Sequence, residues 1–264
     1  MSVLNILFVG SDEVARSIAK KSDSRDVDNY IYKDLKEGGL FSTISILRPN
    51  NYPDKPKPFF TSLTVSDFGI IEINKVDGVF GEVIVSMASA GIKEGLVILN
   101  ASEGEWVDDS QVKALLQQAG LSNWEFIEND GILIREKLIE VLNQIKPNED
   151  EGFVVAVDQA FTVKGVGLVA IGHVQSGKVN KHDELILAGS EGNAIARSLQ
   201  VMDLDVDVAN VGDRVGLAMR TAGPFREDLL GKGSILADSN ERFTVESKSK
   251  FKLDKAAFQK NDLA

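Results

Sequence analysis

"VAVDQAFTVKGVGLVAIGHVQSGKVNKHDELILAG", residues 155–189, decides how the second half of this chain folds. Apolar and polar residues alternate in short runs, the period-two pattern of half-buried strands. Turn residues separate the runs: KGVG at 164–167, SGK at 176–178 and NKHD at 180–183. Gly165 and Gly167 suit a tight turn or bulge, where φ > 0 is needed. His182 sits in a turn and reads as a solvated turn residue; His173 sits in a strand pattern and reads as packed. AIARSLQVM (194–202), DRVGLAM (213–219) and GSILAD (233–238) continue the pattern. Short strands at regular turn spacing predict a small all-β barrel over 151–238. The tail, 239–264, is charged with scattered phenylalanines and is expected to be at most a remnant of a further domain.

Upstream, KPNEDEG at 146–152 reads as a linker. Residues 1–147 have a different grammar. LNILFV (4–9), LFSTISIL (40–47), FGIIEI (68–73) and GLVILN (95–100) read as strands. Segments 13–21, 80–90, 111–119 and 135–145 read as helices by their apolar spacing. Strands alternating with helices predict an α/β domain with a parallel sheet. Ligands of such sheets bind beyond the carboxyl ends of the strands. The loops after Val9, Ile73 and Asn100 lie there.

The whole chain narrows the function classes. Its 264 residues are 43% hydrophobic and 26% charged, as in ordinary globular proteins. No stretch reaches the ~18 apolar residues of a membrane helix. Met1 to Asn5 lacks the basic, apolar and small-residue regions of a secretory signal. There are no cysteines, which excludes disulfides, thiolate metal sites and cysteine nucleophiles and fits a reducing cytoplasm. The net charge of −11 opposes nucleic acid overall, so any RNA contact needs a local basic patch. Both histidines lie in the second half, so the first half has no imidazole base.

"VGSDEVARS", residues 9–17, is spaced like a phosphate-binding loop, G-x-x-x-x-G-K-[ST]. Gly10 and Ser17 remain, and Ser17 is the residue type that holds Mg²⁺ in such a loop. Ala15 adds a Cβ where glycine allows close approach. Arg16 keeps the charge on a longer, differently directed fork. Asp12, Glu13 and Val14 fill the cradle, and the two carboxylates repel phosphate. The same residues also read as a simple helix start: Ser11 as N-cap, with Asp12 and Glu13 suiting the helix dipole.

Residues 155–189 and ARSLQVMDLDVDVANVGDRVGLAM, 196–219, resemble the second-domain barrel of the translational GTPases. Within that superfamily the chain is most similar to elongation factor Tu and its archaeal and selenocysteine- or pyrrolysine-associated relatives. The resemblance implies a Ras-like, P-loop GTPase-like parallel-sheet domain (1–147) followed by a translation-protein β-barrel (151–238). It also implies signature residues that this chain lacks. Where the family has Asp-x-x-Gly and a following histidine, touching Mg²⁺ and positioning the water, the chain reads RPNNYPDKP from Arg48. No threonine stands between Asp26 and Gly39, where the Mg²⁺-binding switch is expected. NKVD at 74–77 copies the guanine-reading Asn-Lys-x-Asp one strand too early and reads as an exposed turn. The expected base loop begins at Asn100, with Glu103 in the place of aspartate. Glu128 to Gly131 replaces the final Ser-Ala-Lys-like loop. One lost charge-stabilising group can cost about 10² to 10³ in rate.

The resemblance therefore implies a pseudo-GTPase that binds within translation and has no catalytic residues. The degenerate nucleotide site would consist of Gly10 to Ser17, Asn100 and Glu103. No cofactor is expected, unless GTP or GDP with Mg²⁺ on Ser17 still fits. Expected partners are tRNA, the ribosome or another translation factor, with no DNA or membrane, for a cytoplasmic monomer. The RNA-contact candidates are Lys164, Arg197, Arg214, Arg220 and Lys232, and structural ion pairs are an equal reading for Arg197 and Arg214. Two alternatives stand beside this reading: a slow GTPase using Arg16 and Ser17, and an RNA-independent protein-interaction module. The family's third barrel is not found in these residues.

Overall fold

The computed structural model describes residues 2–35, 41–101, 106–144, 152–240 and 243. They form two compact units, one within 4–144 and one within 152–240. No helix among the described residues is long and apolar enough to cross a membrane.

The first unit runs β1 (Ser2–Val9), α1 (Asp12–Ile18), β2 (Lys20–Ser24), β3 (Val27–Leu35), β4 (Phe41–Pro49), α2 (Pro56–Leu63) and β5 (Phe68–Ile73). It continues with α3 (Gly78–Ser89), β6 (Gly95–Leu99), α4 (Asp109–Gln118), β7 (Glu125–Ile127) and α5 (Gly131–Gln144). One sheet holds all seven strands in the order β2-β3-β4-β1-β5-β6-β7. The β1–β5, β5–β6 and β6–β7 pairs are parallel, while β2–β3 and β3–β4 are antiparallel. The expected α/β fold is present, with a mixed sheet.

Three elements depart from the periodicity. The first helix stops at Ile18, and the next residues turn into a strand; a helix to Lys21 was expected. Polar residues hide β3, because Asp28 and Asn29 are buried in it beside the fully buried Tyr30. Prolines hide α2: Pro56 stands in its first turn, where a missing N–H costs nothing.

Charge holds the α1–β2–β3 corner. Lys21 Nζ lies 3.1 Å from Asp12 Oδ1 and 2.7 Å from Asp28 Oδ2. Ser24 Oγ donates to Asp28 at 2.7 Å, and Arg48 reaches the same carboxylate at 3.3 Å. Asp12 also accepts from Arg16 and from the Tyr30 hydroxyl. Hydrogen bonds from Tyr30, Arg16 and Lys21 hold the Asp12 carboxyl well below the usual range. Burial works against the charge on Asp28, but bonds from Lys21, Asn50 and Ser24 outweigh it and lower its pKa too. Burial, then the bond to Asp12, pushes the Tyr30 phenol up to about 12.

A slot in the sheet seats Trp124. Gly69 and Gly95 face each other across β5 and β6. A Cβ on Gly95 would lie 2.6 Å from the Gly69 carbonyl oxygen and from the Trp124 ring, so only glycine leaves room for the indole.

The second unit runs β8 (Phe153–Val163), β9 (Gly167–Asn180), β10 (Glu184–Leu187), β11 (Asn193–Val201), β12 (Leu204–Val206), β13 (Val208–Asn210), β14 (Arg214–Ala222) and β15 (Ile235–Ala237). Its strands follow the order β10-β15-β8-β9-β14-β11-β12, and a further β10–β11 pairing closes the ring into the expected barrel. Alternate residues fill it, among them Phe153, Val155 and Val157 from β8 and Val215, Leu217 and Met219 from β14. A register shift between Ala196 and Ser198 keeps Ala196 and Leu199 both inside and turns Arg197 outward. Gly165 and Gly167 take φ of 86° and 103°, as their turn requires. His182 is exposed with φ 75°. His173 is buried, and burial brings its pKa down to about 3, so the imidazole is neutral.

Two outcomes are expected. Gly95→Ala overpacks the Trp124 slot and should cost about 1–3 kcal/mol in urea unfolding, with the fold retained. The depressed carboxylates of Asp12 and Asp28 contribute stability above the ordinary aspartate pKa, and it is lost as pH falls through their folded values. Asp28→Asn should therefore lower stability at pH 7 but flatten its decline below about pH 4, read by thermal unfolding across that range.

Candidate functional site

The candidate site lies at the carboxyl ends of β1, β5 and β6, where open α/β sheets bind ligands. β1 ends at Val9, and the chain turns into helix almost at once. Ser11 is the N-cap, and its side chain accepts from the Val14 N–H at 3.2 Å. The Ala15 N–H bonds to the Ser11 carbonyl at 3.3 Å, already inside the helix. Residues 12 to 17 are thus a helical turn and a half, not an extended loop around an anion. Ala15, Arg16 and Ser17 lie in the later part of a seven-residue helix.

A carboxylate occupies the helix entrance. Glu72 Oε2 accepts from the Ser11 N–H at 2.6 Å. Its Oε1 accepts from the Asn100 side-chain amide at 2.6 Å. Glu72 comes from the end of β5 and Asn100 from the end of β6, so one carboxylate joins three neighbouring strand ends. Gly10 makes this possible, since a Cβ there would meet Glu72 Cβ and Oε2 at 2.7 Å. Arg48, from the end of β4, donates its Nε–H to the Gly10 carbonyl at 2.8 Å. The same guanidinium reaches Asn50 at 2.9 Å and Asp28.

The two carboxylates singled out in the sequence are placed otherwise. Asp12 is committed to the Lys21, Arg16 and Tyr30 corner, and Glu13 is exposed. Ser17 Oγ donates back to the Val14 carbonyl at 2.7 Å. The Ser17 backbone packs on Gly131 at the start of α5, and Arg135 binds the Ser17 and Ile18 carbonyls at 2.9 and 2.8 Å. A phosphate at Ser11 would have to displace Glu72 from the Ser11 N–H. With Glu72 on the Ser11 N–H, the helix entrance in this arrangement does not fit a phosphate.

The base-reading positions resolve in the same way. Asn74 to Asp77 follows β5, beside β1. Asp77 caps α3, accepting from the Phe80 N–H at 3.1 Å, and pairs with Lys75 at 3.1 Å. The loop after β6 begins with Asn100, and Glu103 lies outside the described residues. Asp130, within the 128–131 segment, caps α5 through the Ile132 and Leu133 N–H groups.

On the barrel, Arg214 binds Asp158 through Nε and a terminal nitrogen at 3.1 and 3.0 Å. Arg197 reaches across to the Val166 carbonyl in the β8–β9 turn at 3.2 Å, beside Lys164. Lys164, Arg220 and Lys232 are exposed. The sequence reading missed Glu72 and Arg48. Glu72 carried a signal, being the one charge in the apolar strand FGIIEI, where a charge needs a partner.

No protein-family model matches the sequence. An uncharacterised protein of Methanocaldococcus jannaschii, MJ0325, is 32% identical over 241 residues, 91% of this chain and 73% of that protein. The selenocysteine-specific elongation factor of Escherichia coli is 32% identical over 137 residues, 49% of this chain and 22% of that factor. Among solved structures, the elongation factor SelB of Methanococcus maripaludis with the GTP analogue GppNHp superposes with a TM-score of 0.70 at 20% identity. That match covers 91% of this chain and 56% of SelB. A bacterial selenocysteine-specific elongation factor, EF-Sec, gives a TM-score of 0.70 at 17% identity, over 89% of this chain and 45% of its own. The chain thus spans about half the length of these solved factors. It belongs to the family of MJ0325, and in sequence and fold it is similar to the SelB-type translation elongation factors.

Proposed function

We propose that the chain is a translation-factor-like binding protein whose first unit has the form of a GTPase domain without its nucleotide chemistry. The observation that carries this reading is the Glu72 carboxylate on the Ser11 N–H. A phosphate loop works because its backbone N–H groups and helix dipole await an anion. Here a side chain of the same fold supplies the negative charge. No lysine stands at position 16, and the strand end that would supply the Mg²⁺ aspartate supplies Arg48, a cation bound to the Gly10 carbonyl. Domain boundaries at 147 and 151, with 239–264 as a tail, belong to the same reading.

The binding partner falls within translation: tRNA, the ribosome or another translation factor. Similarity to SelB-type factors supports this, and the exposed cations Lys164, Arg197, Arg220 and Lys232 are the RNA-contact candidates. Arg214 is spent on Asp158 and fits a structural role.

Thermal unfolding with GDP or GTP and Mg²⁺ tests the first part. A native-state ligand at ~1,000 times its Kd adds about 4 kcal/mol, a shift that cannot be overlooked. The expected result is no shift at millimolar nucleotide; a clear rise with Mg²⁺ overturns the reading in favour of a slow GTPase. Glu72→Ala should cost about 1–3 kcal/mol by leaving the Ser11 N–H without its acceptor. For the second part, tRNA association should weaken log-linearly with salt, and Lys164→Ala with Arg220→Ala should reduce the slope by about one unit per lost contact. Salt-independent or absent association would leave the protein-interaction reading in its place.

A further inference from the structure

The literal NKVD motif is left unused by the reading above, yet it borders a cleft. Residues 74–76 after β5, residues 106–108, and Gln111 of α4 line an open cleft of about 370 Å³. That volume lies within the ~300–1,000 Å³ of small-molecule sites. Trp106 is 81% exposed, so its indole faces solvent at the rim. Asn74 and Gln111 have no side-chain hydrogen bond among the described residues, whereas neighbouring charges are occupied. Lys75 pairs with Asp77. Asp108 caps α4, its Oδ1 accepting from the Ser110 and Gln111 N–H groups at 2.9 and 3.3 Å. The open chemistry of the cleft is therefore one aromatic face and two primary amides.

We propose that this cleft binds a purine base, stacked on Trp106 and hydrogen-bonded by the Asn74 and Gln111 amides. Each amide presents a donor beside an acceptor, the pattern that matches the edge of adenine. Stacking on an indole tolerates any base, so the two amides carry the choice of base. Among the described lining residues the one cation, Lys75, is paired with Asp77, so the base carries recognition. The base has two possible sources, a free nucleoside or a nucleotide of single-stranded RNA. Guanine as read by Asn-Lys-x-Asp does not fit, because the Asp77 carboxylate is turned to the α3 N-terminus and to Lys75.

Tryptophan fluorescence of the full chain tests this without a label. The second tryptophan, Trp124, is buried, so a stacking ligand reports on Trp106. Adenosine, uridine and a short oligoadenylate are titrated without Mg²⁺, which keeps the result separate from any guanine-nucleotide binding at the Ser11 loop. Saturable quenching by adenosine or oligoadenylate is expected, about tenfold weaker with uridine, which lacks the adenine donor–acceptor edge. It should vanish in Trp106→Phe, and in Asn74→Ala with Gln111→Ala at unchanged melting temperature. Saturation by oligoadenylate alone assigns the RNA source; equal saturation by adenosine assigns the free nucleoside. No saturation by either, equal quenching by uridine, or quenching that survives the double variant overturns the proposal.

Discussion

A single carboxylate sets the geometry at the carboxyl ends of the central strands. Glu72 accepts from the Ser11 backbone with one oxygen and from the Asn100 amide with the other. A half-buried carboxylate needs such partners, and an N-terminal helix dipole welcomes its charge. The two requirements meet at one atom pair. Gly10 stays glycine because Glu72 occupies the space a Cβ would take. A feature that resembles the relic of a phosphate loop is thus also a packing constraint of the present fold.

The cationic side of that centre follows from it. Arg48 fixes the Gly10 carbonyl and reaches back to Asp28 in β3. Asp28 in turn shares Lys21 with Asp12 at the start of α1. Buried and half-buried charges alternate in sign across four elements, and each has a partner. Most of these charges have more than one partner: Asp28 meets Lys21, Ser24 and Arg48, and Asp12 meets Lys21, Arg16 and Tyr30. The short α1 and the added strand β2 belong to this arrangement, since a longer helix would carry Lys21 away from both carboxylates.

The barrel solves a different problem. Its ring closes through β10 and β11, so the six strands that form it have no free edge within it. The bulge in β11 is the price of matching its inward pattern to β14, and it turns Arg197 out beside the 164–167 turn. The exposed cations there stand on barrel strands and their turn, whereas Arg214 is held to Asp158 across β8, β9 and β14. Position on the barrel separates these arginines, although both lie in the stretch that carries the family resemblance.

The sequence by itself determined the two units, the β5, β6 and barrel strands, the Ser11 cap and the turn glycines. All of these are local: period-two or helical alternation, a hydroxyl before a helix, φ > 0 at Gly165 and Gly167. It also exposed the missing signature residues, because a residue type is either present or not. Local rules failed at β3, where Asp28 and Asn29 look exposed until Lys21 and Arg48 pay no heed to chain distance and pair with the buried carboxylate. They failed at α2, where prolines in a first turn look like a loop. Only the tertiary structure decided which carboxylate meets the Ser11 N–H. Asp12 and Glu13 were adjacent in the chain, but Glu72, 61 residues away, reaches it. The reason is the parallel sheet: it sets β5 beside β1, and brings strand ends together that no sequence spacing connects.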